Sequence, residues 1–501
     1  MHTKTKILFF LFVLFGLSLS AKAVFAATYY VATNGSNSNS CITAQNSTTP
    51  KTTVNSILSC VVAGDTVLIR GGSYPGFRLT EKHYRSDAWL TIKSFPGEKA
   101  IIDGKLGQGI AIRISGASYV RFEDLETTHS GINHSTSCDL SLDSCRQLSA
   151  SIASNKGIQI DGMAFGNAQS PSHDLVFSNM DIHGHGGTGI LGGGDSVSDG
   201  YNFQILNSRI YDNGVRGLAE GYGTYISGRN HTIRGNQIYH NTGEGIRTGN
   251  TPDNGYYHLK DSVIENNIIY DNAGKFYHSS SGHIYDGFAG IVIWGGSNNI
   301  IRNNIVYGQR ATHGYGIWVY NKPPYNNRIY NNTIYGNDNV GILLQGDGNI
   351  LNALVKNNII YDNGRTIGGM DVDFQGTGTA SVNNLIDVDP RFVDLASNNF
   401  RLTSASPAIN AGATLSEVTT DFDGVSRPQG SAYDIGAYEF VGSTPPPTSS
   451  ADLNSDGRVN SVDAAMLMGA WGQTTKPKAD INQDGIVNSV DASLMMGQWT
   501  L

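Results

Sequence analysis

One phrase recurs six times through the middle of this chain: ILNSRIYDN (205–213), TIRGNQIYHN (232–241), VIENNIIYDN (263–272), IIRNNIVYGQ (300–309), RIYNNTIYGN (328–337) and LVKNNIIYDN (354–363). Its Tyr falls at 211, 239, 270, 307, 335 and 361, so the steps are 28, 31, 37, 28 and 26 residues. A unit of that size cannot bury its own apolar face and has to stack on its neighbours to make a continuous core. Between the copies runs a second phrase, GIQIDG (157–162), GILGGG (189–194), GTYISG (223–228), GIVIWG (290–295), GIWVYN (316–321) and GILLQG (341–346). Its alternation between bounding glycines is the pattern of a short half-buried strand. Two or three such strands per period, with no helix between them, predict an all-β chain coiled as a parallel β-solenoid.

In a solenoid equivalent residues stack along the axis. Ser208, Asn236, Asn267, Asn304, Asn332 and Asn358 then form a ladder of side chains bonded from coil to coil, a structural row and not a binding one. The repeated Tyr reads as a packing column. Composition agrees: only 15% of residues are charged, and 61 Gly supply the tight turns that replace them.

With these phrases the chain resembles the single-stranded right-handed parallel β-helix of the pectin-lyase-like superfamily over roughly residues 28–440. Its opening text, TYYVATNGSNS (28–38), KTTVNSILSCVVAGDTVLIRGGSY (51–74) and KAIIDG (99–104), is similar to that of secreted polysaccharide-degrading β-helix proteins. Val54, Ile57, Leu58 and Val61 share one face of a short helix that can plug the open end of the first coil. DFDGVSRPQGSAYDIGAYEF (421–440) resembles a segment that closes the last coils. The expected organisation is an N-terminal cap with first coils (27–114), β-helix repeats (115–400) and a closing segment (401–441).

The first 26 residues carry Lys4 and Lys6, an apolar run from Ile7 to Leu19 and small residues to Ala27, the order of a cleavable secretory signal. The expectation is a secreted, extracellular protein without a membrane span, monomeric apart from docking. Cys41, Cys60, Cys138 and Cys145 allow three complete pairings, with proximity favouring Cys41 to Cys60 and Cys138 to Cys145; four buried free thiols are the alternative. With 34 Lys and Arg against 42 Asp and Glu, the net charge of −8 gives no electrostatic footprint for nucleic acid.

After the linker GSTPPPTSS (442–450), residues 451–501 hold two copies of one loop 28 residues apart, DLNSDGRVNSVD (452–463) and DINQDGIVNSVD (480–491). Oxygen-bearing side chains at positions 1, 3, 5 and 12, with Gly at 6, suit a hard cation. The ligand set is Asp452, Asn454, Asp456, Arg458 through its carbonyl, Asn460 and Asp463 in the first loop. In the second it is Asp480, Asn482, Asp484, Ile486 through its carbonyl, Asn488 and Asp491. Loops ending in Asp, followed by AAMLMGAW and ASLMMGQW, closely resemble a type I dockerin. That resemblance implies two Ca2+ ions and a cohesin-type partner read by Ser461, Val462, Ser489 and Val490.

Chemistry is expected on the outward side of the alternating strand. Tyr225, Trp294, Trp318 and Tyr320 would lie one coil, about 4.8 Å, apart and offer a platform for sugar rings, or else pack beneath the loop 275–288. A polysaccharide lyase acting on a uronate needs a base and a cationic partner for the carboxylate, for which Arg247, Arg216, His185 and Lys156 are candidates. Glu220, Glu244 and Asp161 could form a groove calcium clamp. The same three carboxyls are the candidates for a glycoside hydrolase, whose pair lies about 5 to 9 Å apart. A non-enzymatic carbohydrate-binding or adhesive solenoid is a third reading.

Overall fold

The computed structural model describes residues 26–441 and 451–496, apart from residue 108 and 136–142, 162–169, 193–199, 216–217, 219–220, 250–257, 273–274, 279–282, 287–288, 311, 321–325, 346–351, 365–367, 376, 454–458, 460, 475–477 and 482–485. Residues 1–25, with nearly all of the signal segment, and the linker 442–450 lie outside the described residues.

Each coil contributes a strand to three columns. The first column holds the alternating phrase, among others Ile158–Asp161, Ile190–Gly192, Thr224–Ile226, Ile246–Thr248, Ile291–Trp294, Ile317–Tyr320 and Ile342–Gln345. The second runs through Tyr201–Leu206, Thr232–Arg234, Val263–Glu265, Ile300–Arg302, Arg328–Tyr330 and Leu354–Lys356, and the third through Arg209–Tyr211, Gln237–Tyr239, Ile268–Tyr270, Ile305–Tyr307, Thr333–Tyr335 and Ile359–Tyr361. Successive strands of a column pair in parallel and in register, Tyr on Tyr in the third. The interior is a stack of aliphatic side chains, of which Ile210, Ile238, Ile269, Val306, Ile334 and Ile360 make one continuous row of fully buried residues.

The expected amide ladder is present: the Nδ2 of Asn236, Asn267, Asn304, Asn332 and Asn358 each donate to the next Oδ1 at 2.9–3.0 Å, ending on Asn384. Two further ladders exist. One passes through Asn213, Asn241, Asn272, Gln309, Asn337 and Asn363 to Asp371. The other passes through His231, Ser262, Asn299 and Asn327. In both ladders beginning at Asn213 and Asn236 the residue just before each rung turns the chain in the left-handed region, as at Asp212, Asp271, Asn266, Asn303 and Asn331. Asn, Asp and Gly tolerate that conformation best, so the corner dipeptide encodes both the bend and the rung.

The solenoid is not free of helix as the repeat predicts. Asp143–Ala153 forms one in the long insertion between Leu125–Thr128 and Ile158–Asp161, where Ile152 and Ala153 pack on Val215 and Leu218. At the N-terminal end the short helix Val54–Ile57 forms as expected, with Val54, Ile57, Leu58 and Val61 all buried. Cys41 and Cys60 are joined there by a disulfide. Cys145 is also disulfide-bonded, while Cys138 lies outside the described residues.

The closing segment does more than finish the last coil: it runs back along the side of the helix. Backbone carbonyls of Thr420, Phe422, Asp434 and Ala413 accept from the corner amides of Asn303, Asn266, Asn331 and Asn357. Phe400 packs against Tyr307 and Tyr335 at 5.0 and 5.6 Å, which is why the even stack Tyr211, Tyr239, Tyr270, Tyr307, spaced 4.9–5.1 Å, stops there. Arg427 and Glu439, both fully buried, form an ion pair inside this segment.

The C-terminal unit is a pair of helices, Ser461–Gly469 and Ser489–Met496, around Leu453, Val459, Leu467, Val487 and Met495. Among the described residues no helix is long and apolar enough to cross a membrane.

Candidate functional site

The register of the first column sets one outward row in the order Arg78, Arg113, Gln159, Leu191, Tyr225, Arg247, Val292, Trp318, Leu343. Because side chains alternate across a strand, a second outward row lies two residues on, through Ser115 and Asp161 at one end and Trp294, Tyr320 and Gln345 at the other. Two clusters stand on this face.

In the first, Arg247 Nη1 donates to Glu244 Oε1 at 2.6 Å, and the guanidinium lies 5.1, 5.3 and 5.0 Å from the rings of Tyr222, Tyr225 and Trp294. Rings on three sides suit a weakly hydrated planar cation. Glu244 is wholly buried, and burial pushes its carboxyl above the usual range despite the Arg247 charge. Its Oε2 has no hydrogen-bond partner among the described residues. Beyond Arg247, Trp294, Trp318 and Tyr320 meet at 4.4–5.6 Å. Trp318 is 8% exposed and the other two are half-buried, so these rings form a closed cluster with Ala289, Val292 and Leu343 and not an open platform. The indole N–H groups of Trp294 and Trp318 are buried without an acceptor among the described residues.

In the second cluster, Asp161 accepts from Arg113 Nε at 2.8 Å, Ser115 Oγ at 2.5 Å and Gln159 Nε2 at 2.7 Å, with Arg78 at 3.7 Å. Burial pulls this carboxyl upward, but the three donors outweigh it and hold Asp161 below the ordinary range. Lys156, one residue before this strand's first glycine, is held below the ordinary lysine range, chiefly by burial and then by the charge of Arg113, with Asp161 opposing. A lysine so depressed carries a usable lone pair nearer neutral pH than a free one.

The structure thus brings Arg247, Glu244, Tyr225 and Trp294 together and sets Asp161 with Arg113, Ser115 and Gln159, the charge of Asp161 also reaching Lys156. Three coil steps separate Gln159 from Arg247, about 14 Å along the axis. For Asp161 with Glu244 that exceeds the separation of a glycosidase pair and is too far for the two to share one ion: Asp161 is engaged by one arginine and Glu244 by another, while Glu220, like Arg216, lies outside the described residues. Among the described residues no three His, Cys, Asp or Glu converge as a metal site. His185 is a further correction. It sits inside the coil with no exposed surface, its Nε2 3.1 Å from Thr127 Oγ1 and its backbone N–H on Asn213, and burial takes it down to about 3. It is a neutral core residue on a ladder, away from the outward face.

Sequence reasoning missed Arg78, Arg113, Ser115 and Tyr222. The signal for two of them was available, since GIAIRISG (109–116) alternates like the repeated strand and places Arg113 and Ser115 outward.

In the C-terminal unit, Asp463 and Asp491 are fully buried, Asp452 is 6% exposed, and Asp463 and Asp491 accept from the N–H of Leu453 and Ile481 at 2.8 and 2.7 Å. Buried carboxylates at both ends of a loop call for a cation, and an all-oxygen set suits calcium. Asn454, Asp456, Arg458, Asn460, Asn482 and Asp484 lie outside the described residues, as do the side chains of Ser461, Val462 and Val490; Ser489 and Ile486 are exposed and Asn488 half-buried.

Residues 157–284 and 219–386 match the family model of the right handed beta helix region. Coils, columns and this match define the class: the chain is a right-handed parallel β-helix protein. Residues 450–498 match the dockerin type I domain, so within that class it is one that ends in a calcium-binding dockerin module. Among solved structures it is similar to the pectate lyase Pel9A, with 17% identity, a TM-score of 0.53 and coverage of 82% of this chain and 96% of that one. It is similar to a rhamnogalacturonan lyase with 14% identity, a TM-score of 0.50 and coverage of 80% and 99%. At such identities these likenesses speak for the fold alone. No curated protein matches the sequence.

Proposed function

We propose that the β-helix is a polysaccharide lyase acting on a uronate-containing polymer along the first column. The observation that carries this reading is Asp161 locked on the outward face by Arg113, Ser115 and Gln159, with Lys156, just ahead of the same strand, depressed by burial and by the charge of Arg113. Elimination asks for that pair of properties. Neutral Lys156 takes the proton from C5 beside the carboxylate, and Arg113 and Arg78 hold the negative charge that builds on that carboxylate. The electron pair forms the C4–C5 double bond, the C4–O bond breaks, and the leaving oxygen takes a proton from solvent, to which Lys156 later returns the proton it removed. Asp161 is a positioning residue that fixes the two arginines. Arg247, in its cage of Tyr222, Tyr225 and Trp294, lies at the right reach for a sugar about three units along the chain, with Trp318 and Tyr320 behind it. Pectate and rhamnogalacturonan lyases share this fold, which is therefore compatible with such chemistry.

The C-terminal unit is read as two calcium loops, residues 452–463 and 480–491, that fold the module and dock it through Ser461, Val462, Ser489 and Val490 onto a cohesin-type domain of a scaffold or cell surface. Secretion through residues 1–26 and a tether at 442–450 complete this organisation. Titration of the calcium-free chain is expected to give two ions per chain by calorimetry.

The test is incubation with polygalacturonate, alginate and rhamnogalacturonan while following ultraviolet absorbance and reducing ends together. Both rising, and both lost in Lys156→Ala, is the expected result. Reducing ends alone would mean hydrolysis, and polymer binding with neither signal would favour the adhesive solenoid.

A further inference from the structure

A second row of rings and cations runs along the opposite end of the strand face, on the outer surface of the second column. Register aligns His83, Ser118, His173, Tyr201, Arg229 and Lys260, one per coil. The side chains form a continuous contact series. The Arg121 guanidinium lies 4.5 Å over Trp89, which meets Tyr119 edge-on at 5.5 Å. Tyr119 meets His173 edge-on at 5.3 Å, His173 stacks on Tyr201 at 4.6 Å, and Arg229 lies 5.0 Å over Tyr201. Trp89, Tyr119, His173, Tyr201 and Arg121 are half-buried and Arg229 is exposed, so the row faces outward.

Two observations separate this row from ordinary packing. First, neither Arg121 nor Arg229 has a carboxylate partner among the described residues, whereas Arg113, Arg209, Arg302 and Arg328 on the same solenoid are all paired with acids. Aromatic faces hold the two guanidiniums in place while leaving their N–H edges unspent, the arrangement that favours capture of an anion. Second, Tyr119 has a φ of +60°. The following coils put Asp174, Asn202, Asn230, Asp261, Asn298 and Asn326 in that left-handed bend. Those are residues that tolerate it, and a bulky ring does not, so the strain is retained where it presents an aromatic edge.

We infer that this row is a binding site for an acidic polysaccharide strand, distinct from the first column and independent of whether that column is catalytic. Arg121 and Arg229 are three coils apart, about 14 Å along the axis, with Arg121 set three residues further along its strand, and take acidic groups some three to four sugars apart on a strand crossing the coils obliquely. The phenol edges of Tyr119 and Tyr201 between them take hydroxyls, while the His173 Nδ1 is held by Asp174 Oδ2 at 2.7 Å.

Affinity electrophoresis of the full chain through gels containing polygalacturonate, alginate or neutral galactan, with chelator present, tests this. The expected result is retardation by the acidic polymers only, with apparent affinity falling at least tenfold in an Arg121→Ala, Arg229→Ala double variant whose melting temperature is unchanged. Tyr119→Asn gives a readout that mere packing would not: it should raise the melting temperature by relieving the bend and still weaken retardation. Retention of affinity within twofold in the double variant overturns the site. So does a Tyr119→Asn chain that is less stable and binds as before, or equal retardation by single-stranded DNA, which would reduce the row to unspecific charge.

Discussion

Every coil has two kinds of corner, and they obey opposite rules. From the strand Tyr201–Leu206 onward the chain turns between the second and third columns in two residues each time: Asn207 and Ser208, Gly235 and Asn236, Asn266 and Asn267, Asn303 and Asn304, Asn331 and Asn332, Asn357 and Asn358. Between the third and first columns the connection ranges from the short span between Tyr239 and Ile246 to the long insertion between Thr128 and Ile158. The constant corner carries an unbroken amide ladder and no candidate chemistry. The variable turns, and the strand they feed, carry Tyr222, Glu244, Lys156 and Arg247. A repeat can accept insertions only where no register has to be kept, and that is where new side chains can be brought to a face.

The comparison can be broken most severely by length. One residue inserted between Asn303 and Asn304 should prevent folding of the β-helix, because it displaces a rung and flips the following strand; the same insertion just after the exposed Arg310, beyond the Gln309 rung, should cost under about 1 kcal/mol. Circular dichroism and melting of the two variants check this. On the variable side, Lys156→Ala should leave melting unchanged and lower eliminative turnover by about 10²–10⁴-fold, the usual contribution of a general base. The remaining activity of the parent chain should rise with pH on a limb whose midpoint lies below the ordinary lysine value, since depression makes the neutral form available earlier.

On the constant side, Asn304→Ala strips the partner from the buried N–H of Asn267 and the Oδ1 of Asn332. It should cost about 2–3 kcal/mol in denaturant melts and leave turnover per folded molecule intact. The smallest effect concerns His231, a wholly buried rung that burial lowers to about 4. Between that value and about 6.5 the unfolded chain binds a proton that the folded chain refuses, so stability is full above this window and falls as pH drops through it. His231→Asn, which keeps an acceptor for the N–H of Phe203, should move acid unfolding down by about half a pH unit.

The fold was legible because it is written in repeated, local terms. The Tyr period, the Asn rungs and the glycine-bounded alternation each announce one column, and the structure places them as read. The second ladder was equally visible in the terminal Asn or Gln of every repeat, yet only its neighbour was recognised. The helix Asp143–Ala153 was missed because it occurs once and owes its place to Val215 and Leu218 from another coil. The candidate site was half legible. Glu244 and Arg247 were both named from the sequence but not as a pair, because Glu244 lies in the turn that leads into the strand Ile246–Thr248 carrying Arg247; Asp161 meets Arg113 only because two coils 48 residues apart lie in register. Exposure was only partly legible: covered rings at Trp294, Trp318 and Tyr320 were one of two expected outcomes, whereas His185 carries the chemistry of a surface site and lies inside the coil.

The closing segment has a mechanical consequence. Its carbonyls are tied to Asn266, Asn303, Asn331 and Asn357, one in each of four successive coils, and its core is pinned by the buried Arg427 and Glu439 pair. A pull delivered from the C-terminal module through residue 441 therefore does not peel the last coil from its end. It loads four coils side by side, in shear, and the anchored half of the β-helix bears the tension as one block.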